Sequence, residues 1–216
     1  MSPLVVPNDP TGYAAAARVL RDGGVVALPT DTVYGIAVAL GTAGGIDRLF
    51  EAKRRPADRA IMLLLDDAEQ AAAVAAWPPS ARALTEAFWP GGLTVIVDQR
   101  PGANLPPELT AGRATVGLRV PNHDCPRALA AAVGPLPVTS ANLSGLPPAR
   151  DAAEIATQLG DAVDCIVDGG PAGGGPASTV VDCTVEPARI VRAGDVSIEA
   201  VTACLRAAGL EAPSGA

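Results

Sequence analysis

Ile61 to Leu65 is an unbroken apolar run held between Ala60 and Asp66-Asp67. A run that short and uninterrupted reads as a strand buried on both faces, which calls for packing layers on either side of a sheet. Val25 to Leu28, stopped by Pro29, is a second such strand, and Ile36 to Leu40 a third. Further strands are expected at Leu93 to Asp98, Thr115 to Val120, Leu136 to Thr139, Cys165 to Asp168, Thr179 to Cys183 and Arg189 to Arg192. Helices are expected between and around them. Asp9-Pro10 is a good N-cap and first-turn pair for Tyr13 to Arg21, which Gly23-Gly24 stops. Others are Gly44 through Lys53, Ala68 to Ala76, Ser80 to Phe88, Cys125 to Val133, Ala152 to Leu159 and Ser197 to Ala208. Strands alternating with helices imply a layered α/β domain. The short Glu186-Pro187 link between the last two strands suits an antiparallel pair, so the sheet is expected to be mixed.

Composition narrows the function. With 49% hydrophobic and 18% charged residues, 216 residues suit one globular domain. Aromatic residues are 3% of the chain, so the core must be aliphatic and stacking platforms for bases are scarce. A formal net charge of −7 and a pI near 4.7 disfavour bulk RNA or DNA binding, which depends on Lys and Arg displacing counterions. Cys125, Cys165, Cys183 and Cys204 lie far apart and His123 is the single histidine, so no spacing resembles a zinc site. No apolar run reaches the ~18 residues of a membrane span and no signal-peptide pattern opens the chain, giving a cytoplasmic expectation.

Against this acidic background, Arg48 to Arg59 holds five basic residues (Arg48, Lys53, Arg54, Arg55, Arg59) and two acids (Glu51, Asp58), a local net of +3. Pro56 ends any helix carrying Lys53, so Lys53 and Arg55 can project together from a non-helical turn toward a polyanion such as a triphosphate. A solvated helix end complementing the helix dipole would account for the same residues.

Two loops carry polar side chains at strand ends, where α/β folds bind ligands. Pro29-Thr30-Asp31-Thr32-Val33-Tyr34-Gly35 packs two hydroxyls, a carboxylate and a phenol into seven residues, or is a turn held by its own side chains. Pro137 to Gly145 ends a strand in Ser140-Ala141-Asn142; if extended, Ser140 and Asn142 face the same way and can donate together to a phosphate or carboxylate. Arg119 and Arg192 are isolated cations among apolar neighbours, and each needs an anionic ligand or an internal salt bridge. Ser178-Thr179 adds hydroxyls at a strand start, after the loop Gly173-Gly174-Gly175-Pro176, expected on the site's rim. No nucleophile constellation surrounds His123 and no Walker sequence is present, so the equipment is for positioning and charge stabilisation rather than covalent catalysis.

Taken together these segments resemble the YrdC-like threonylcarbamoyl-AMP synthase family from about Gly23 to about Val201. The motifs occur in order: Pro-Thr-Asp-Thr-Val-Tyr-Gly at 29–35, Lys-x-Arg-Pro at 53–56, Trp-Pro-Gly-Gly-Leu-Thr at 89–94, and Val-Gly-Leu-Arg-Val-Pro at 116–121. Thr-Ser-Ala-Asn-Leu-Ser-Gly at 139–145, Asp-Gly-Gly at 168–170, Ser-Thr-Val-Val-Asp at 178–182 and Val-Arg-Ala-Gly at 191–194 follow.

The resemblance implies a three-layer α/β (α+β) fold with a twisted mixed sheet around a deep concave cavity. It implies condensation of L-threonine, bicarbonate and ATP, with Mg²⁺, to L-threonylcarbamoyladenylate and pyrophosphate, the product passing to tRNA threonylcarbamoyl-transfer proteins, with at most weak tRNA contact. Carried over by motif, Lys53 and Arg55 are catalytic and bind ATP with Thr115, Ser140, Asn142 and Arg192; Thr30, Thr32, Arg119 and Ser178 hold threonine, Arg119 on its carboxylate. Ala60 stands where many members have proline, and Leu64 where some have histidine. The expected organisation is the short type, a single domain over 1–208 and a disordered tail over 209–216. Two rival readings are an RNA-binding or ribosome-assembly module, against which the pI and few aromatics weigh, and an enzyme making a carbamoyl-adenylate for another acceptor.

Overall fold

The computed structural model describes residues 2–54 and 59–215. Asp9 caps α1 (Pro10–Arg21) by accepting from the Thr11 and Gly12 amides at 2.9 and 3.0 Å, with Pro10 pre-set in the first turn. Gly12 is required by packing: a Cβ there would lie 1.8 Å from the Pro7 carbonyl oxygen, where β1 (Leu4–Pro7) enters the helix. That first strand carries no clear signal in the sequence and forms by parallel pairing with β8 (Cys165–Asp168).

The chain continues through β2 (Val26–Leu28), β3 (Gly35–Ala37), α2 (Gly45–Lys53), β4 (Met62–Leu64), α3 (Ala68–Ala72), α4 (Pro79–Phe88) and β5 (Leu93–Asp98). A short α5 (Pro107–Thr110) precedes β6 (Thr115–Arg119), α6 (Asp124–Val133), β7 (Leu136–Ser140) and α7 (Ala152–Leu159). After β8 come β9 (Thr179–Asp182), β10 (Arg189–Arg192) and α8 (Ile198–Ala207). The third helix is shorter than the expected Ala68 to Ala76, because Ala75 leaves it to bridge Gln99. Of the segment read as a disordered tail, Ser214 exchanges backbone hydrogen bonds with Ala188 and Ile190 beside β10, both at 2.8 Å.

All ten strands of the described residues form one mixed sheet, ordered β1-β8-β2-β3-β7-β4-β6-β5-β9-β10. β9 and β10 are antiparallel, as expected, whereas β4/β6 and β5/β9 are parallel. One face packs Val95, Val97, Val116, Leu118 and Leu63 against α2, α4, α7 and α8. On the other face α1 and α6 bring Ala16, Leu20 and Leu129 onto Val26, Ala37, Leu64 and Val138. This makes three layers.

The second helical layer is incomplete. Side chains alternate across a strand, so Thr94, Ile96, Gly117 and Arg119 share the face that carries Leu64. Over β6 and β5 that face is only partly covered: Ile96 and Gly117 are half-buried, although their neighbours Val95, Val97 and Leu118 are fully buried. The concavity thus lies where the α1/α6 layer stops, and the loops after β2 and β7 and those leading into β4 and β9 wall it.

Candidate functional site

Between β2 and β3 the Thr30 hydroxyl donates to the Val33 carbonyl (2.7 Å) and accepts from the Thr32 and Val33 amides (3.1 and 3.2 Å). This is the turn held by its own side chains that the composition allowed. The loop is also tied to a distant one. Buried Tyr34 donates its hydroxyl to Gly170 O (2.8 Å) and accepts from the Gly169 amide (2.9 Å), and burial pushes the phenol's pKa above its ordinary value. Gly169 permits this approach, since a Cβ there would come within 2.9 Å of the Pro29 ring.

Lys53 ends α2 with its ammonium turned inward and only 3% of the residue exposed. It donates to Ser140 O, to Asn142 O (2.8 Å) and to Asn142 Oδ1 (3.1 Å), and lies 3.5 Å from Ser140 Oγ. A buried charge surrounded by acceptors in this way fixes the loop after β7. The joint donation expected of Ser140 and Asn142 does not form. The chain turns directly after β7, with the Asn142 amide bonded back to Ser140 O (3.0 Å), and the Asn142 side-chain amide donates to Leu143 O (2.8 Å) and Leu146 O (2.7 Å). Both donors of that amide are thereby committed, and Ser140 is left as the hydroxyl of the pair.

Two guanidinium groups mark the opposite wall. Arg119, 3% exposed, donates through Nε to Gly91 O (2.8 Å), through Nη1 to Thr32 Oγ1 (2.9 Å) and through Nη2 to Asp31 Oδ1 (2.6 Å). The Asp31 carboxylate also accepts from the Asn122 amide at 3.0 Å. The internal salt bridge is therefore present, and it aims Arg119 beside Thr32. Burial lowers the Arg119 pKa and Asp31 opposes the shift; an arginine remains charged regardless. Arg192 holds Ser178 O through Nε and Nη2 (3.1 and 2.8 Å) and Ser178 Oγ through Nη2 (3.1 Å). Its pKa is lowered by burial and then by the Arg119 charge, so the two cations share one electrostatic environment.

These walls enclose a cavity of about 470 Å³. Eight of the residues singled out in the sequence line it: Thr30, Thr32, Lys53, Arg119, Ser140, Asn142, Ser178 and Arg192. Ala60 and Leu64, the two departures from the motif pattern, line it too, as does Arg59 of the basic cluster. Arg55 lies outside the described residues. Arg48, from the same cluster, points elsewhere and pairs with Asp164 at 2.9 Å. Thr115 does not line the cavity. It opens β6 opposite Asp98, about 13 Å along the strand from Arg119 at the usual rise per residue. Sequence reasoning gave no separate role to Asp31 and Thr94, whose partners Arg119 and Ser178 are 88 and 84 positions away. Among the described residues no three His, Cys, Asp or Glu side chains converge as a metal site would need.

Comparison with known proteins identifies the family of the fold. The family described as "Telomere recombination" (Sua5–YciO–YrdC) matches residues 18–194. A threonylcarbamoyl-AMP synthase of Bacillus subtilis is 38% identical over 92% of this chain, which spans 57% of that relative's length. A putative threonylcarbamoyl-AMP synthase of Mycobacterium tuberculosis is also 38% identical, over 94% of this chain and 92% of the relative. The crystal structure of P. abyssi Sua5 complexed with L-threonine superposes with a TM-score of 0.87 at 32% identity, covering 94% of this chain and 60% of that one. The ordered motifs, the three-layer mixed sheet and the cation-lined cavity thus have one common source: this chain belongs to the Sua5–YciO–YrdC family.

Proposed function

We propose that this chain is an L-threonylcarbamoyladenylate synthase, forming the adenylate from L-threonine, bicarbonate and ATP. The observation that carries the reading is the pairing, in one cavity, of a wall of Arg119, Thr32 and Ser178 with the Lys53-braced Ser140 loop. Relatives alike over most of the chain bear that activity in their names, and the P. abyssi protein holds L-threonine.

In this reading the guanidinium of Arg119, fixed at three corners, takes the substrate carboxylate, and Thr30, Thr32 and Ser178 surround its side chain. The threonine amine adds to bicarbonate carbon with loss of water, giving a carbamate. A carbamate oxygen then attacks the α-phosphorus of ATP in line and pyrophosphate departs. Ser140 and Arg192 face the phosphates, and Lys53 keeps the Ser140 loop in place from beneath. The chain's share of catalysis is positioning and charge stabilisation. Mg²⁺ arrives as part of the ATP substrate, held mainly by its phosphate oxygens, as magnesium in nucleotide sites commonly is. Arg55 is kept in this proposal as a further phosphate contact on its motif alone.

The product serves N6-threonylcarbamoylation of tRNA through separate transfer proteins, which puts the enzyme in the cytoplasm. Incubation with ATP, Mg²⁺, threonine and ¹³C-bicarbonate tests the reaction directly. The adenylate should carry the label, and pyrophosphate should appear with it in equal amount. Pyrophosphate released without a labelled adenylate would refute the proposal.

A further inference from the structure

The Trp-Pro-Gly-Gly-Leu-Thr segment at 89–94 contributes no side chain to the cavity lining, yet it touches both sides of the wall assigned to the amino acid. The Gly91 carbonyl holds Arg119 Nε, and Thr94, 2% exposed on β5, places Oγ1 2.8 Å from Ser178 Oγ. The segment itself is pinned. Trp89 Nε1 donates to Leu93 O (2.8 Å), the Gly91 amide to Val120 O (2.9 Å) and the Thr179 amide to Gly92 O (2.9 Å).

A proton inventory of the Thr94–Ser178 contact shows how Ser178 is held by its neighbours. Ser178 Oγ has one proton and two lone pairs. Arg192 Nη2 can only donate, and takes one lone pair at 3.1 Å. Thr94 has two possible acceptors among the described residues, Ser178 Oγ at 2.8 Å and the weakly accepting Met62 Sδ at 3.9 Å. Either hydroxyl can donate in the 2.8 Å contact, and in both arrangements the Ser178 oxygen is held between Thr94 and Arg192. Ser178 is itself 2% exposed and lines the cavity, so the contact fixes where its hydroxyl sits in the wall assigned to the amino acid.

We propose that Thr94 is a positioning residue that holds the Ser178 hydroxyl in place against the amino-acid substrate. The inference rests on the proposed threonine-adenylating function. Its consequence is felt in substrate binding: loss of the Thr94 hydroxyl frees Ser178 to rotate away from the place it holds in the amino-acid wall.

Thr94→Val is nearly isosteric and suits a strand, so KM for threonine and for ATP, kcat and thermal midpoint are measured on Thr94→Val, Thr94→Ser, Ser178→Ala and the Thr94→Val/Ser178→Ala pair. Loss of one neutral hydrogen bond of about 1 kcal/mol predicts a roughly fivefold rise in KM for threonine in Thr94→Val, with KM for ATP and kcat within about twofold. Thr94→Ser, which retains the hydroxyl, should stay near wild type. The pair should be no worse than Ser178→Ala alone, because Thr94 acts through Ser178.

An unchanged threonine KM in Thr94→Val overturns the inference, as does a pair that is worse than Ser178→Ala by the full Thr94→Val factor. Equal rises for ATP and threonine overturn it too. Should Thr94→Val fail to fold, Thr94→Ala, which also lacks the hydroxyl, takes its place alone and in the pair with Ser178→Ala. Wild-type enzyme that makes no adenylate refutes the function proposed above; wild-type enzyme that does, with an unaffected Thr94→Val, refutes the Thr94 assignment alone.

Discussion

At the scale of single residues, the side chains with the most evident chemistry are also the most tied down. Lys53 is the clearest case, because its ammonium spans three oxygens of the Ser140–Asn142 segment. Lys53→Ala would strand those oxygens in a buried place. A loss of about 3 kcal/mol of stability is expected, together with loss of adenylate formation, since hydrogen bonds to charged groups are worth more than neutral ones. Thermal unfolding and pyrophosphate release on the same preparation check both. A variant that loses activity at an unchanged thermal midpoint would make Lys53 a phosphate ligand only.

His123 gives a pH signature. Its Nδ1 caps α6 by accepting from the Cys125 amide at 3.2 Å, so it must be unprotonated there, and burial lowers its pKa below the ordinary 6.5 while Asp31 and Asp124 oppose the shift. The folded state therefore binds fewer protons than the unfolded one. Stability should be constant above pH 6.5 and fall as pH drops below it toward the folded pKa. His123→Asn keeps a capping acceptor without the titration, and its melting temperature should lose that component of the acid dependence. An identical acid slope in both proteins would show that the cap does not titrate.

At the scale of elements, strands and helices were legible because their signals are local. The apolar run at 61–65 became β4, Asp9-Pro10 opened α1, and the short link at Glu186-Pro187 joined an antiparallel pair. β1 was missed because four residues ending in proline mean nothing until β8 is beside them. The site was half legible for a related reason. Its residue types could be read, but the Asp31–Arg119 and Thr94–Ser178 contacts join segments more than 80 positions apart. The facing of Ser140 and Asn142 depended on an extended backbone, and β7 ends at Ser140.

Glycines set where these elements meet. Gly194, just after β10, lies so close to β9 that a Cβ would fall 2.1 Å from Ala177 O and 2.6 Å from the Ser178 carbonyl carbon. Those atoms are backbone and cannot rotate aside. Gly194→Ala should therefore cost about 1–3 kcal/mol or more of stability and weaken threonine binding by displacing Ser178. Calorimetric unfolding and a threonine titration decide it. Wild-type affinity in the variant would show that β9 shifts without moving Ser178.

At the scale of the whole molecule, function follows from an unequal covering of one sheet. Helices α2, α4, α7 and α8 close one face, α1 and α6 close part of the other, and the uncovered part becomes a cavity lined by Lys53, Arg119 and Arg192 in a chain of net charge −7. Positive charge is thus concentrated in the cavity rather than spread for a polyanion to lie on, which favours the proposed small anionic substrates over an RNA-binding module.

The central claim is that the cavity reads threonine by both its hydroxyl and its methyl group. Its most direct test is adenylate formed from threonine, serine and valine at equal concentration, with ATP, Mg²⁺ and bicarbonate present. A missing methyl contact costs only about 1–3 kcal/mol, whereas an isostere without the hydroxyl leaves the site's polar groups unpaired, so the predicted order is threonine, then serine, then valine. Valine equalling or exceeding serine would contradict it.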